Sequence, residues 1–475
     1  MSILAKNSRF GGAALFVIAL AGCAVGPDFA PPEAPAATRY TPEERPRTGT
    51  ALEEQWWRRF RSPELDGLIE RALAANPGLA AARANLEQSR HELMAGYGVF
   101  FPSVGVEGSA ARQQDSPAKL GLDGPPSIFN LFTLSGTVNY ALDLFGGQSR
   151  LVEQLGAERD IAFAEQQGAL LSLEANIVET VIARAGYRAE IEATEELVAA
   201  EKGQLDLSET QFAAGTTNYA AVLALKSQLA AIEAGLPALR QKAAQAEDLL
   251  ATLVGQPPGD WPAPDIALSA LALPDDVPVN LPSALLRQRP DILAAEATAH
   301  AASAGIGIAT AAMLPSVSLS GSYGSNAQQT GAMFARQSAF WSFGANVAQP
   351  VFEGGALWYR RKAAIDAFDQ AAALYRQTVL SAFAQVADSL RALDHDAETL
   401  KAEEEALDAA EKLRGLTEAN YQAGLANYLQ LLSADAQLRQ ARIGQLQAVT
   451  VRYQDTVALF AALGGGWHLE IAANP

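Results

Sequence analysis

The residue types that most often carry catalysis or bind metals are scarce in this chain of 475 residues. Cys23 is the only cysteine, which excludes a disulfide within the chain, a catalytic thiol in the mature protein and a metal site built from cysteines. The four histidines lie far apart, without the spacing of a metal ligand set: His91, His300, His395 and His468. A phosphate-binding glycine loop, a nucleophile elbow and a metalloprotease motif are absent from the sequence. The sequence therefore predicts no catalytic residue, no metal site and no enzymatic activity.

The chemistry that Cys23 does suggest is covalent attachment of lipid. A short basic region precedes an apolar stretch from Phe10 to Leu20, which is too short to span a bilayer and is typical of a signal peptide. The run Leu20-Ala21-Gly22-Cys23 resembles the bacterial lipobox, so we expect residues 1–22 to be removed and Cys23 to be acylated, with no other cofactor. Ala24 stands where an aspartate would resemble an inner-membrane retention signal, which favours the outer membrane. An ordinary secretion signal with an incidental cysteine is the alternative.

Charge and hydropathy restrict the partners further. The net charge of −18 would be repelled by the phosphates of nucleic acid, which excludes that class of partner. The acidity fits either a lumen that favours cations or a solvated surface, and the charge count does not distinguish them. No run of about 18 consecutive apolar residues follows Cys23, so we expect no transmembrane helix.

The sequence is internally duplicated. Four landmarks recur in the same order: Asn76-Pro77 as Arg289-Pro290, Phe101-Pro102-Ser103-Val104 as Leu314-Pro315-Ser316-Val317, Phe145-Gly146-Gly147 as Phe352-Glu353-Gly354-Gly355, and Phe212 to Tyr219 as Tyr421 to Tyr428. They predict a repeated unit of roughly 200 residues, much longer than a solenoid repeat. We expect a first repeat over 63–255, a proline-rich linker over 256–280 and a second repeat over 281–475. Residues 23–62, also rich in proline, are expected to form an extended, lipid-anchored N-terminal segment.

Each repeat contains two segments in which apolar and polar residues alternate, at about 102–112 and 131–144, and at about 315–323 and 340–351. Alternation with a period of two places each set on one face of a β-sheet. A soluble sandwich would bury the apolar faces against each other. An outer-membrane barrel, with apolar residues outward and polar residues inward, has the same alternation over strands of about 10 residues.

A pair of long helices follows each pair of strands, at about 147–214 and 218–255, and at about 355–423 and 427–463. The first helix of each pair would be roughly 100 Å long at 1.5 Å per residue. Apolar residues recur every seven positions in the second repeat, which predicts a coiled-coil seam: Val379, Val386, Leu393, Leu400 and Leu407. Gly215 and Gly424 are typical helix ends, and Asn218 and Asn427 are good N-caps for the returning helices.

Four strands cannot close a barrel in lipid, because open edges leave backbone groups without hydrogen-bond partners. Two copies of the chain would supply 8 strands and three copies 12, and strand counting alone permits both.

These features resemble the TolC-like outer membrane factors, and within them the OprM/NodT-like lipoproteins. The resemblance covers nearly all of the mature chain and depends on Cys23-Ala24-Val25-Gly26-Pro27-Asp28-Phe29, on Trp56-Trp57 through Leu68 to Asn76-Pro77, on Arg289-Pro290-Asp291-Ile292 and on the two glycine turns. It implies a homotrimer: a mainly α protein whose 12-stranded outer-membrane β-barrel, four strands per chain, continues into a periplasmic α-helical barrel. It also implies an exit duct for efflux, joined through a periplasmic adaptor to an inner-membrane transporter, in our interpretation of the RND class.

The resemblance also implies which residues are functional. The turns would be periplasmic tips that contact the adaptor: Gly215, Thr216, Thr217, Asn218 and Tyr219 in the first repeat, and Gly424, Leu425, Ala426, Asn427 and Tyr428 in the second. In the OprM-like branch, a leucine and an aspartate four residues apart resemble a periplasmic gate. Leu429 matches the leucine, but Ser433 stands in place of the aspartate, and Asp435 lies two residues further on, toward another face of the helix. These three are the predicted gate residues. Packing between helices is the alternative role for Leu429.

Two rival functions stay open at this point. The chain would be a lipid-anchored structural coiled-coil protein of the envelope if its strands form a soluble sandwich. The same duct would alternatively serve a protein secretion system. The identity of the cargo is not predicted, because a wall that admits many solutes carries little recognition chemistry.

Overall fold

The computed structural model describes residues 24–42, 55–121, 123–274 and 285–465. The predicted signal peptide and Cys23 lie outside these residues, as do parts of the predicted N-terminal segment, of the linker and of the second repeat. The elements in chain order are α1 (Pro63–Ala75), α2 (Pro77–Gly96), β1 (Ser103–Asp115), β2 (Ser127–Leu142), α3 (Gly147–Ala213), α4 (Tyr219–Leu253), α5 (Pro290–Ala311), β3 (Ser316–Ala327), β4 (Ala339–Ala348), α6 (Ala356–Gln422) and α7 (Tyr428–Ala462). Each repeat thus contributes two strands, a helix of 67 residues and a helix of 35 residues.

The chain divides into two compact units, and each unit takes residues from both repeats. The first unit comprises Met1–Glu33, Leu86–Ala162 and Ala294–Tyr375, and the second comprises Ala34–Asn85, Phe163–Leu293 and Arg376–Pro475. The predicted domains followed the two repeats along the chain, so they do not coincide with these spatial units. The reason is that strands pair across the repeats, since β2 of the first pairs with β3 of the second.

The first unit contains one four-stranded antiparallel sheet in the order β1-β2-β3-β4. Its register places most of the large apolar residues of the four strands on one face, as in the row Val104, Val138, Gly321 and Phe343. The neighbouring row of the other face is Gly105, Thr137, Ser322 and Ser342, in which the Ser322 and Ser342 hydroxyls are 2.7 Å apart. The apolar face stays exposed in this chain, with Val104, Val106, Tyr323, Trp341 and Phe343 among its exposed side chains. The two-faced sheet that alternation predicted is therefore present.

The ends of the strands differ from the prediction. β1 continues to Asp115 because residues 112–115 pair with residues 127–130, and β2 accordingly begins four residues earlier than expected. β2 ends at Leu142, since the Asp143 carboxylate accepts hydrogen bonds from the backbone N–H groups of Gln148 and Ser149 at the start of α3. β3 reaches Ala327, and β4 ends at Ala348, just before Pro350, which has no N–H group to donate to the sheet. The loops that connect β1 to β2 and β3 to β4 are correspondingly shorter than predicted.

The second unit has an aromatic core built around the segment that precedes α1. Trp56, Trp57 and Phe60 are buried, and the Trp56 and Phe60 rings lie 5.4 Å and 6.4 Å from the ring of Phe460 in α7. The Trp56 indole N–H donates to the Glu174 carboxylate of α3 at 3.3 Å. Burial raises the pKa of Glu174 to about 8, although that hydrogen bond opposes the change. The paired tryptophans therefore serve packing rather than contact with a membrane.

Helices α3 and α4 form an antiparallel coiled coil within the second unit. Val222, Leu229 and Leu236 of α4 recur every seven residues and are buried. Leu229 and Leu236 cluster with Val198 of α3, and Leu205 of α3 packs against that cluster. Three ion pairs follow the same heptad spacing, Lys226–Glu209 at 2.7 Å, Lys202–Glu233 at 2.8 Å and Arg240–Glu195 at 2.7 Å. By length and average hydropathy, α4 and α5 are apolar enough to span a membrane. The three charged residues that α4 contributes to these ion pairs, Lys226, Glu233 and Arg240, are instead typical of a helix that faces water.

Candidate functional site: two helical tips and helix α7

The first tip is the turn between α3 and α4. Gly215 has a positive φ of 72°, and its N–H donates to the Phe212 carbonyl at 2.9 Å. The Thr216 N–H donates to the Gln211 carbonyl at 2.9 Å, which completes a Schellman ending of α3. Asn218 then starts α4, because its side chain accepts from the Ala221 N–H at 2.9 Å. Only glycine adopts this conformation without strain, which explains why the turn is at Gly215.

The second tip, between α6 and α7, has the same backbone plan. Gly424 has a φ of 73°, and the Leu425 N–H donates to the Asn420 carbonyl at 2.8 Å. Asn427 and Gln430 form a capping box, in which each side chain bonds the other residue's backbone N–H at 2.9 Å. The sequence therefore located both turns correctly, because glycine and asparagine carry the local conformation.

The two tips differ in the chemistry that they present. The first carries Thr216 and Thr217, whereas the second carries Leu425, whose side chain is 81% exposed, and Ala426. Each tip also has a pair of exposed aromatic rings in contact, Phe212 with Tyr219 at 5.3 Å and Tyr421 with Tyr428 at 5.6 Å. Exposed apolar groups at a polar turn are typical of a surface that contacts another protein.

The predicted gate residues lie on α7 directly after the second tip. Leu429 is half-buried, and Ser433, four residues further on, is exposed on the same side of the helix. Asp435 is separated from them, because its carboxylate lies 3.1 Å from Arg439 Nε and 3.7 Å from Arg414 Nε. The structure therefore brings Leu429 and Ser433 together and holds Asp435 in ion pairs.

Contacts between α7 and α3 join the two repeats, and they were not predicted from the sequence. Arg439 binds the Glu196 carboxylate of α3 as well as Asp435. The buried Gln204 amide of α3 donates to the Leu432 carbonyl of α7 at 2.7 Å. Ala193, Leu197, Ala436 and Ile443 form a small apolar cluster between the same helices. The sequence offered one indication of a charged face on α7, namely the spacing of Asp435 and Arg439, because opposite charges four residues apart share a helix face.

Two carboxyl groups, Asp396 of α6 and Asp455 of α7, lie next to each other further along the hairpin. Partial burial, followed by the neighbouring Asp455 carboxylate, raises the pKa of Asp396 to about 6, whereas Arg452 and His395 oppose this. Burial, together with Asp455, also raises the pKa of Glu179 in α3. Among the described residues, no group of three or more His, Cys, Asp or Glu side chains is arranged to hold a metal ion.

Known proteins are similar to this chain in sequence and in fold over nearly its full length. A family model described as "Outer membrane efflux protein" matches residues 68–256 and again 281–465. The pyoverdine export outer membrane protein OpmQ of Pseudomonas aeruginosa is 30% identical over 426 residues, which cover 88% of each chain. The toluene efflux pump outer membrane protein TtgC of Pseudomonas putida is 30% identical over 462 residues, which cover 94% of each chain.

Among solved structures, the outer-membrane channel OprN superposes with a TM-score of 0.85 and 30% identity, over 94% of this chain and all of that one. The double match of the family model agrees with the two repeats, and the likeness to OprN agrees with a channel built from a strand region and long helices. This chain belongs to the outer membrane efflux protein family.

Proposed function

We propose that this chain is the outer-membrane exit duct of a tripartite efflux system and conducts substrates passively. The observation that carries the proposal is the sheet with one apolar face, one polar face and two open edges. An apolar face that is exposed over four strands suits contact with lipid, and a face of serine, threonine and asparagine suits a water-filled interior.

The open edges require further copies of the chain. Within the described residues, β1 pairs only with β2 and β4 only with β3, so each leaves one row of backbone groups unpaired. Each unpaired group in lipid costs several kcal/mol. Pairing β4 of one copy with β1 of the next removes this cost, and three copies give the closed 12-stranded barrel that we propose. The long helices of the same trimer would form the periplasmic α-helical barrel.

The energy for export comes from partners in this proposal. The sequence contains no phosphate-binding loop with which the chain could use a nucleotide. The exposed tips would offer a surface for a periplasmic adaptor, which would connect the duct to an inner-membrane transporter of the RND class. Relatives of equal similarity are named for toluene and for pyoverdine. Since 30% identity accommodates such different cargoes, we propose that the transporter, not the duct, selects the cargo.

The second tip and α7 would form the closure at the periplasmic end. Leu429 and Ser433, on one side of α7, would line the constriction, and three copies would supply a ring at each level. Asp435 would act differently from the prediction, since its pairing with Arg414 and Arg439 makes it part of the fastening that holds α7.

The lipid anchor on Cys23 completes the proposal and has its own test. Mass spectrometry of the purified protein should show acylation at Cys23 after loss of residues 1–22, and Cys23→Ser should abolish it. A mature chain that begins elsewhere or lacks lipid would refute the anchor and leave the duct intact.

Conductance in a planar lipid bilayer tests the duct itself. We expect the purified full-length chain to form discrete ion-conducting channels, small while α7 is fastened and larger in Arg439→Ala. A protein that binds vesicles or assembles without any conductance, in either form, would support the rival function of a structural coiled-coil protein.

A further inference from the structure

The junction between sheet and long helix occurs once in each repeat, and the two junctions are covered differently. In the first repeat, the N-terminal segment lies over Phe145-Gly146-Gly147. The Val25 N–H donates to the Phe145 carbonyl at 3.0 Å. The Arg150 guanidinium binds the Val25 carbonyl at 3.3 Å, Asp28 at 2.8 Å and Glu153 at 2.7 Å, and its side chain is only 6% exposed. This junction is therefore closed by the chain itself.

The same contacts indicate where the membrane begins. Ala24 packs so closely on Gly146 that a Cβ atom at Gly146 would lie 2.5 Å from the Ala24 Cα atom. Ala24 directly follows Cys23, the proposed site of acylation. A lipid attached there must enter the bilayer close to this junction, so the junction marks the level of the periplasmic headgroups.

Within the described residues, no segment covers the second junction as the N-terminal segment covers the first, and its apolar side chains are exposed. Counting from the glycine before each helix, Gly146 and Gly355, Tyr359 takes the place of Arg150. Val351, Phe352, Trp358 and Tyr359 are 91%, 87%, 51% and 69% exposed. Tryptophan and tyrosine favour the interface between lipid and water, because their rings are apolar and their N–H and O–H groups are polar.

Positive charge is concentrated at the same place in an otherwise acidic chain. Arg360, Arg361 and Lys362 are consecutive, and no acidic residue occurs between Glu353 and Asp366. Arg361 turns inward to the Thr310 hydroxyl at 3.1 Å, whereas Arg360 and Lys362 are exposed and have no ion-pair partner among the described residues. The Lys362 ammonium lies 5.7 Å from the centre of the Trp358 ring, in range of a cation–π contact.

We propose that this second junction binds the headgroups of anionic phospholipids in the periplasmic leaflet. The collar consists of Val351, Phe352, Trp358, Tyr359, Arg360 and Lys362. Its aromatic and aliphatic side chains would lie among the glycerol and upper acyl groups, and its two cations would bind lipid phosphates, each adding to the attraction. The collar thus does for the second repeat what the N-terminal segment does for the first. The inference depends on the proposed membrane location of the sheet.

The test compares lipid binding by three forms of the full-length chain in detergent. They are the parent, the double variant Arg360→Gln/Lys362→Gln, and the control Lys401→Gln/Lys412→Gln, which removes the same charge from exposed sites elsewhere on α6. Native mass spectrometry would count phosphatidylglycerol and phosphatidylcholine molecules retained per oligomer across a titration. We expect the double variant to bind phosphatidylglycerol on the order of tenfold more weakly, with phosphatidylcholine binding unchanged and the control like the parent.

Equal phosphatidylglycerol binding by the double variant and the control would overturn the proposal. An altered oligomer mass in the double variant would overturn it too, because the collar would then contact a second copy of the chain. Trp358→Ala supplies a further check, since it should weaken both lipids while leaving the preference for phosphatidylglycerol. The proposed duct would fail separately, through absence of conductance in the parent.

Discussion

The two long hairpins of this chain, α3–α4 and α6–α7, have equal helix lengths, but different contacts hold their helices together. The α3–α4 hairpin has a heptad seam and a ladder of three opposite-charge pairs. In the α6–α7 hairpin, one ion pair, Arg414–Asp435, joins the helices among the described residues, and Asp396 faces Asp455 as a like-charge pair. The closest polar contacts of α7 run instead to α3, through Arg439 and Leu432.

The two sets of contacts indicate which hairpin can move. A helix held by a self-contained seam stays with its partner. The tip end of α7 is joined to the other repeat by the polar contacts of Leu432 and Arg439, and most of the buried residues of α7 lie further along, from Ile443 to Ala462. Duplication preserved the backbone of the hairpin and its turn, and the side chains diverged where the two copies have different tasks. We therefore infer that α3–α4 is the fixed part of the helical wall and α7 the part that opens.

The largest effect is expected at the tips. Leu425→Asp places a charge on the most apolar point of the second tip, and we expect co-purification of the adaptor to fall on the order of tenfold or more. Thr216→Asp, the matched change in the first tip, should have a much smaller effect because that position is already polar. Equal losses from both variants would show that the tips contribute alike and would remove this part of the comparison.

The fastening of α7 comes next. Arg439→Ala removes the bonds to Glu196 and Asp435, and single-channel conductance should rise several-fold while the oligomer stays intact. Arg240→Ala removes one rung of the α3–α4 ladder and serves as the control, with conductance expected to stay near that of the parent. A larger conductance in Arg240→Ala than in Arg439→Ala would show that the α3–α4 hairpin moves and that α7 does not.

Acidity should strengthen the second hairpin. Because the folded state raises the pKa of Asp396 from 3.8 to about 6, the folded chain binds this proton more tightly than the unfolded chain does. The free energy of unfolding therefore falls as the pH rises from about 4 to about 6, and above pH 6 the full destabilisation by the charged Asp396 is present. Asp396→Asn should raise the apparent Tm at pH 7, by an amount equivalent to about 1 kcal/mol after allowance for solvent screening, and have little effect at pH 4. Asp394→Asn, at an exposed neighbouring site, is the control, and an equal gain from it would contradict this cause.

The smallest effect is expected from a single rung of the first ladder. Lys226 and Glu209 are about half exposed and their attraction is screened by solvent, so Lys226→Ala should hardly change the free energy of unfolding. Val222→Ala at the buried seam beside it should cost about 1–3 kcal/mol, since it leaves a cavity. Thermal or denaturant unfolding of both variants would check the ratio. A greater loss from Lys226→Ala would mean that charge, not the seam, holds this hairpin.

Much of this architecture could be predicted from local signals. Gly215 and Gly424 need a positive φ, and Asn218 and Asn427 cap the following helices, so the turns were correctly located from residue types. Alternation of apolar and polar residues assigned the faces of the sheet. The family, the function as an outer-membrane efflux duct and the outer-membrane location are confirmed by the relatives. Acylation of Cys23, the RND class of the transporter and the roles of the tip and gate residues stay predictions.

What could not be predicted depends on contacts distant in sequence. The extension of β1 to Asp115 is set by pairing with residues 127–130, where alternation is weak. The fastening of Asp435 depends on Arg414, 21 positions earlier on another helix, which no local pattern reveals. The heptad of Val222, Leu229 and Leu236 was visible in the sequence. The three ion pairs between α3 and α4 can be identified only when the alignment of the two helices is known.

We propose that several copies of the chain join their sheets into one closed pipe. Electron microscopy of the purified full-length chain in lipid nanodiscs would show whether they do. The expected result is a threefold-symmetric particle with 12 strands around an axial channel, in which β4 of each copy pairs with β1 of the next. A monomeric particle that keeps a four-stranded sheet with both edges open in the bilayer, or one that stays outside it, would contradict the claim.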